Sequence, residues 1–248
     1  MVWDTLTGQR IHNLRDKAES MMAIQDLVLD PVESTESEVI LISSSSDPHI
    51  RRWRINLSSA SQIMDTTDVE STKDKLSARS TILEHETSVY KVLFSGDDED
   101  SDLWTASADG TAKCLSRSRS WVTEDTYQHG DYVRAVVVTT DWVITAGRNE
   151  DVKVWDRSSG KLWHTYGGHY EEVTGLVLLS NEQKVASVSI DGTVRVWGLS
   201  KKELIKARTD QEEKEKGIVK EEVKPTKTSL LTAEEEAELA DLMDSDDE

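Results

Sequence analysis

The chain of 248 residues is 36% hydrophobic, carries 8 Trp and a single Phe, and has a formal net charge of −19. That length allows one large domain plus a tail, and the acidic balance argues against nonspecific attraction to nucleic acid or anionic lipid, both of which reward positive surfaces. The lone cysteine, Cys114, excludes a disulfide framework and points to an intracellular chain, cytoplasmic or nuclear. No signal peptide is visible at Met1, and no apolar run approaches the ~20 residues of a membrane-spanning helix.

In chain order, residues 1–10 read as the end of a strand closing on Trp3-Asp4, a turn, and an outer strand, so the chain opens in the middle of a repeating unit. A second unit follows, with strands expected at 21–29, 39–43 and 50–55, the last containing Trp53. Residues 57–80, rich in Ser, Thr and Asp, read as an insertion. The acidic stretch 96–102 joins two strands as a solvated hairpin loop; it lacks the glycine placement and distal glutamate of a helix-loop-helix calcium site. Val133, Ala135 and Val137 alternate with Arg134 and Val136, and the segments 142–144 and 152–154 follow across polar turns, as short strands should. A turn at 156–160 leads into an outer strand at 161–166, and another outer strand is expected around 203–205. Residues 206–229 mix acid and base with little apolar content, the signature of a charged, flexible linker. Residues 230–248 contain no Lys or Arg. There Thr232-Ala233-Glu234-Glu235 reads as a capping box, and Leu239, Leu242 and Met243 fall one helical turn apart, so a short amphipathic helix is expected in an acidic tail. That helix could dock in a groove of a partner; the alternative is a solubilising tail. Ser245, followed by three acidic residues, would suit an acid-directed kinase.

Four of these segments repeat one pattern. They end at Trp53, Leu115, Trp155 and Trp197, and each has Asp47, Asp109, Asn149 or Asp191 six positions earlier. A hydroxyl, Ser43, Thr105, Thr145 or Ser187, stands four positions before that turn residue. His85, His129 and His169 stand upstream of three of the turns, so the unit recurs about every 40 residues, the period of four-stranded blades. These units resemble the tryptophan-aspartate (WD) repeat family of β-propellers over residues 1–205. The resemblance implies an all-β propeller with four to five blades visible, part of a seven-bladed ring whose remaining blades lie outside this chain. A small four- or five-bladed ring is the alternative. It also implies that histidine, hydroxyl, turn aspartate and tryptophan form a buried hydrogen-bond chain in each blade. Leu115-Ser116 and Trp197-Gly198 in place of Trp-Asp, and Asn149 in place of the turn acid, are departures that predict looser blades or altered partners.

Catalysis finds little support. There is no H-E-x-x-H spacing, no glycine-rich phosphate loop and no G-x-S-x-G, and three of the six histidines belong to the repeat. No cofactor, metal or small-molecule substrate is expected. The resemblance implies a non-catalytic protein-interaction scaffold, recognising proteins or peptides at the end that carries the histidine loops and aspartate turns. The candidates there are Tyr132, Arg134, Arg148, Tyr170 and Glu171, because aromatic and arginine side chains commonly anchor interfaces. The alternatives are the substrate-recognition subunit of a ubiquitin ligase and, more remotely, a propeller enzyme. A phosphoinositide-binding role would need a Phe-Arg-Arg-Gly run, and 51–54 reads Arg-Arg-Trp-Arg.

Overall fold

The computed structural model describes residues 1–16, 22–64, 81–96, 101–179 and 181–215. The chain divides into two units, Met1–Arg208 and Thr209–Glu248. Of the second, only 209–215 are described, and they are helical. The tail motif Leu239, Leu242 and Met243, most of the 206–229 segment and Ser245 lie outside the described residues.

The first unit is built almost entirely of antiparallel sheets in simple up-and-down order. β1 (Val2–Trp3) and β2 (Arg10–His12) form a hairpin. Three four-stranded sheets follow: β3 to β6 (Ile24–Leu29, Glu38–Ser45, Arg51–Asn56, Ala60–Gln62), β7 to β10 (Val89–Phe94, Leu103–Ser107, Thr111–Ser116, Val122–Gln128) and β11 to β14 (Val133–Val138, Trp142–Gly147, Val152–Asp156, Leu162–Tyr166). The last sheet has three strands, β15 to β17 (Val173–Leu179, Lys184–Ser189, Val194–Gly198). The strands fall where the apolar and polar residues alternate, since a pleated strand sends successive side chains to opposite faces. First strands of successive sheets lie side by side, β3 with β7, β7 with β11 and β11 with β15.

Both faces of an inner sheet are apolar, so each must be covered by a neighbour. Ile144, Ala146, Val152 and Val154 on one face of β11–β14 pack with Val173, Leu176 and Val185 of the last sheet. Val136, Val138, Val143 and Trp155 on its other face pack with Trp104, Ala106, Ala112 and Cys114. A third core joins Ile42 and Ile50 to Val89, Val92, Leu103 and Leu115. Outer-strand tyrosines tie neighbours together: Tyr127 lies 5.9 Å from Trp155 edge-on, and Tyr166 stacks on Trp197 at 4.9 Å while donating to the Gly198 carbonyl at 2.7 Å. Arg117 bonds Asp30 at 2.9 Å and lies over the Phe94 and Trp121 rings, clamping the first two four-stranded sheets.

Two expectations need correction. The outer strand expected around 203–205 is instead the start of a helix, α1 (Lys201–Glu215). Ser200 Oγ accepts from the Glu203 amide as an N-cap and donates its own proton to the Glu203 carboxylate, and Leu204 is fully buried in the core beneath. The charged segment from 206 is therefore helical as far as 215. The insertion expected at 57–80 begins later, because Ala60–Gln62 is the fourth strand β6, paired with Trp53 to Ile55; residues 65–80 lie outside the described residues.

Candidate functional site

The tight turns after β4, β8, β12 and β16 set one end of every sheet. Gly110 and Gly192 adopt φ of 86° and 78° there, and Glu150 takes φ 68° at the same place, a left-handed conformation that costs a residue with a side chain about 1 kcal/mol. Behind the turns lies the buried relay. In β15–β17 the Trp197 indole Nε1–H donates to Ser187 Oγ at 2.8 Å, Ser187 lies 2.7 Å from His169 Nε2, and His169 Nδ1 lies 2.9 Å from Asp191 Oδ2. The direction follows from chemistry: an indole can only donate, so the hydroxyl proton goes to Nε2, and Nδ1–H is left for the carboxylate. In β11–β14 Trp155 donates to Thr145 Oγ1 at 2.8 Å, but the His129 ring is turned, with Nδ1 on Thr145 at 2.8 Å and Nε2 on Asn149 Oδ1 at 2.7 Å. In β7–β10, where Leu115 replaces tryptophan, His85 joins Thr105 at 2.7 Å to Asp109 at 2.8 Å. In β3–β6 Trp53 donates to Ser43 at 2.8 Å, and Asp47 receives the Arg51 guanidinium at 3.0 Å.

A further member of each unit was not singled out from the sequence. Four positions after the turn residue stand Arg51, Lys113, Lys153 and Arg195. Lys153 Nζ donates to the His129 carbonyl at 2.7 Å, Lys113 reaches the Glu84 carbonyl, and Arg51 lies buried between Asp47 and Asp16, 2.7 Å from the latter. In three of the four sheets the cation thus ties the third strand to the segment entering its own sheet.

Burial works to raise the Asp109 carboxyl, but hydrogen bonds from His85 and Thr111 outweigh it and hold it well below the usual carboxylate range. Asp191 is lowered in the same way: burial opposes, and bonds from Thr193 and His169 prevail. His129 goes the other way. Burial, with the Lys153 charge adding to it, pushes its pKa down to about 4, against the weaker help of Asn149. A histidine whose folded pKa is depressed contributes full stability above the unfolded value near 6.5, and loses it as pH falls through the folded value. Stability should therefore drop by about 2–3 kcal/mol between pH 6.5 and 4, and further below that as Asp109 and Asp191 protonate. Asn149→Asp should abolish the first drop and leave the second. Urea midpoints measured across this range check both.

The first strands carry a shared irregularity. Register shifts occur at Ile24/Asp26, Val89/Lys91, Val133/Ala135 and Val173/Gly175, one in the first strand of each of the last four sheets. Bulges re-aim side chains, and two of the bulged residues are Tyr90 and Arg134, whose guanidinium lies 4.1 Å from the tyrosine ring centroid. Arg134 also pairs with Glu172 at 2.9 Å, and Lys91 with Asp26 at 2.9 Å, so these side chains link one sheet to the next. The other candidates lie at the turn end. Tyr132 is exposed, with the Arg148 guanidinium 5.2 Å over its ring, and its carbonyl accepts from the Arg148 amide at 2.9 Å. Tyr170 is 76% exposed, while its amide donates to Asp191 Oδ2 at 3.1 Å. Glu171 is exposed, and its carbonyl accepts from Ser189 Oγ at 2.8 Å. A polar cleft at the opposite end lies between Thr140, Asp141, Glu182 and Lys201. Among the described residues no group of three His, Cys, Asp or Glu side chains could hold a metal ion, and no helix is long and apolar enough to cross a membrane.

Up-and-down sheets stacked face to face, each locked by a buried relay drawn from an indole, a hydroxyl, a histidine and a turn residue and complete in β15–β17, define blades of a β-propeller. The family model described as "WD domain, G-beta repeat" matches residues 160–198, which begin in the turn before β14 and end with β17. An uncharacterized WD repeat-containing protein of Schizosaccharomyces pombe is 36% identical over 160 residues, 64% of this chain and 40% of its own length. ROOT INITIATION DEFECTIVE 3 of Arabidopsis thaliana is 36% identical over 58 residues, 23% of this chain and 13% of its own. Pre-mRNA-processing factor 19 of Homo sapiens is 35% identical over 60 residues, 24% of this chain and 12% of its own. The chain thus contains a WD repeat at residues 160–198 and is similar to WD repeat-containing proteins, which generally mediate protein–protein interactions, and it spans two fifths or less of the length of these relatives.

Proposed function

We propose that the chain is a non-catalytic platform that binds partner proteins or peptides at the end of the sheets bearing the histidine segments and aspartate turns. The observation that carries this reading is Tyr170, a large aromatic side chain 76% exposed while its own amide is anchored to the turn carboxylate Asp191. A rigid, exposed aromatic binds with little loss of side-chain freedom, which is why such residues dominate interface energetics. Tyr132 and Arg148 support it as a stacked pair on the neighbouring sheet, and Glu171 contributes a free carboxylate beside Tyr170. Arg134 has a different part in this reading: with Glu172 and Tyr90 it holds the first strands in place. The acidic balance of the chain speaks against nucleic acid or a membrane as direct partner. The 58- and 60-residue matches to the plant and human relatives span little more than one repeat, so the processes in their names are not carried over.

The test is affinity for a partner captured with the full chain and then purified. Tyr170→Ala combined with Arg148→Ala should weaken that binding at least tenfold, on the order of 1.4–3 kcal/mol, with the urea midpoint unchanged. Undiminished affinity in the double variant would contradict the proposal.

A further inference from the structure

Of the 5 tyrosines in the chain, Tyr127 and Tyr166 pack against tryptophans. Two others lie beneath a guanidinium: Arg134 sits 4.1 Å over Tyr90, and Arg148 sits 5.2 Å over Tyr132. Among the described residues nothing stacks on the Tyr170 ring, which is 76% exposed. That exposure belongs to the position. Glu86 and Gly130, which also follow a relay histidine, are exposed in sheets flanked on both sides. Arg134 shows what such a ring can hold, because its guanidinium meets the Tyr90 face and also pairs with the Glu172 carboxylate at 2.9 Å. Tyr170 and Glu171, adjacent in the chain and both exposed, offer the same aromatic face and carboxylate without the guanidinium.

Charge at the turn end favours a cation there. Glu86, Glu150 and Glu171 are exposed and Asp131 is half-buried, and among the described residues no lysine or arginine pairs with them. Asp109 and Asp191 behind them stay ionised at neutral pH, since their hydrogen bonds hold both carboxyls low. The cations on this side are fewer. Lys113 and Lys153 are bound to backbone carbonyls, Arg148 lies over Tyr132, and Arg195 is half-buried beside Gly168.

Resting on the reading that the turn end is the binding surface, we propose that its partner is a positively charged protein segment bearing arginine, one of whose guanidinium groups lies on the Tyr170 ring and pairs with Glu171. Arginine suits this place better than lysine, because its planar, weakly hydrated head can stack on a ring and bond a carboxylate at once. Charge complementarity of this kind also steers the encounter.

The probe is a fluorescently labelled glycine-serine peptide with interspersed arginines, titrated with the full chain, beside the same peptide with citrulline, the neutral isostere, at each arginine. The arginine peptide should bind at least about tenfold more tightly, and its affinity should fall as salt rises from about 50 to about 300 mM. Tyr170→Ala and Glu171→Gln should each weaken it about three- to tenfold with the urea midpoint unchanged, both side chains being exposed. Tyr170→Phe should bind as the wild type does, since the ring face is used and the hydroxyl is not. Glu124→Gln removes the same charge from an exposed place on β10 and should change nothing. Equal binding of the two peptides overturns the proposal, as does an affinity that survives Tyr170→Ala or Glu171→Gln undiminished. A loss in Glu124→Gln as large as that in Glu171→Gln overturns it too, for binding would then be general attraction to an acidic chain. Should the purified partner lose affinity for the Tyr170→Ala, Arg148→Ala variant while the two peptides bind alike, the platform reading stands and the arginine-bearing partner alone is refuted.

Discussion

Arg51→Met is expected to destabilise the first unit by about 3–5 kcal/mol, the range for breaking a buried ion pair by removing one partner. Arg51 is fully buried, bonded to Asp16 at 2.7 Å and to Asp47 at 3.0 Å. Burial works against the guanidinium charge, but the two carboxylates outweigh it and strengthen its hold on the proton; Asp47 is in turn held low mainly by the Arg51 bond, against burial. Without the cation, two buried carboxylates would face each other with nothing to offset their desolvation. The variant should therefore regain stability as pH falls and those carboxylates take up protons, opposite in sign to the wild type. Arg51→Lys places there the residue that two other sheets use, Lys113 and Lys153, and should cost less because the charge is kept. Urea unfolding at pH 7 and pH 5 measures both effects.

The second large effect concerns the hydroxyls at the centre of the relay. Thr145→Val keeps the shape of the side chain but leaves the Trp155 indole and the His129 ring without their shared partner. Each buried orphan costs about 1–3 kcal/mol, so the loss should be about 2–5 kcal/mol. Thr105→Val removes the same group from a sheet with Leu115 in the tryptophan position, where His85 is the one relay neighbour left unsatisfied. It should cost about 1–3 kcal/mol. The departure from the repeat pattern at Leu115 thus makes that relay shorter, while the sheet stays well buried around Trp104 and Cys114. Burial pushes the Cys114 thiol up to about 12, so it behaves as a small apolar side chain.

Much of the blade architecture was legible because the relay demands particular residue types at fixed spacing. A donor-only indole, a hydroxyl, an imidazole and a turn acid leave a signature that survives in Trp53, Ser43 and Asp47 even where the upstream histidine is not evident. The cation four positions after each turn was equally regular in the sequence, yet for Lys113 and Lys153 its target is a backbone carbonyl, which has no residue identity to read. The bulges of the first strands leave no compositional mark either. Tyr90 and Arg134 are neighbours because both sheets insert an extra residue at the same point, and strict alternation through 133–137 concealed it. At α1 the opposite happened: Leu204-Ile205 suggested a strand, while the cap formed by Ser200 and Glu203 was present in the sequence and decided the outcome. The exposed Tyr132 and Tyr170 were found from their places after the histidines, but their exposure depends on which neighbours cover them and could not be read from spacing.

The account rests on the relay acting as a coupled unit that keeps each sheet rigid beneath its turn. A double-mutant cycle joining Thr145→Val to Trp155→Phe, followed by urea unfolding at pH 7, tests this directly. Phenylalanine removes the indole donor, so the second hydroxyl-dependent orphan disappears and the two losses should fall short of additivity by about 1–2 kcal/mol. Losses that add to within about 0.3 kcal/mol would mean that the indole and the hydroxyl act independently, and the relay would not be what holds the blade.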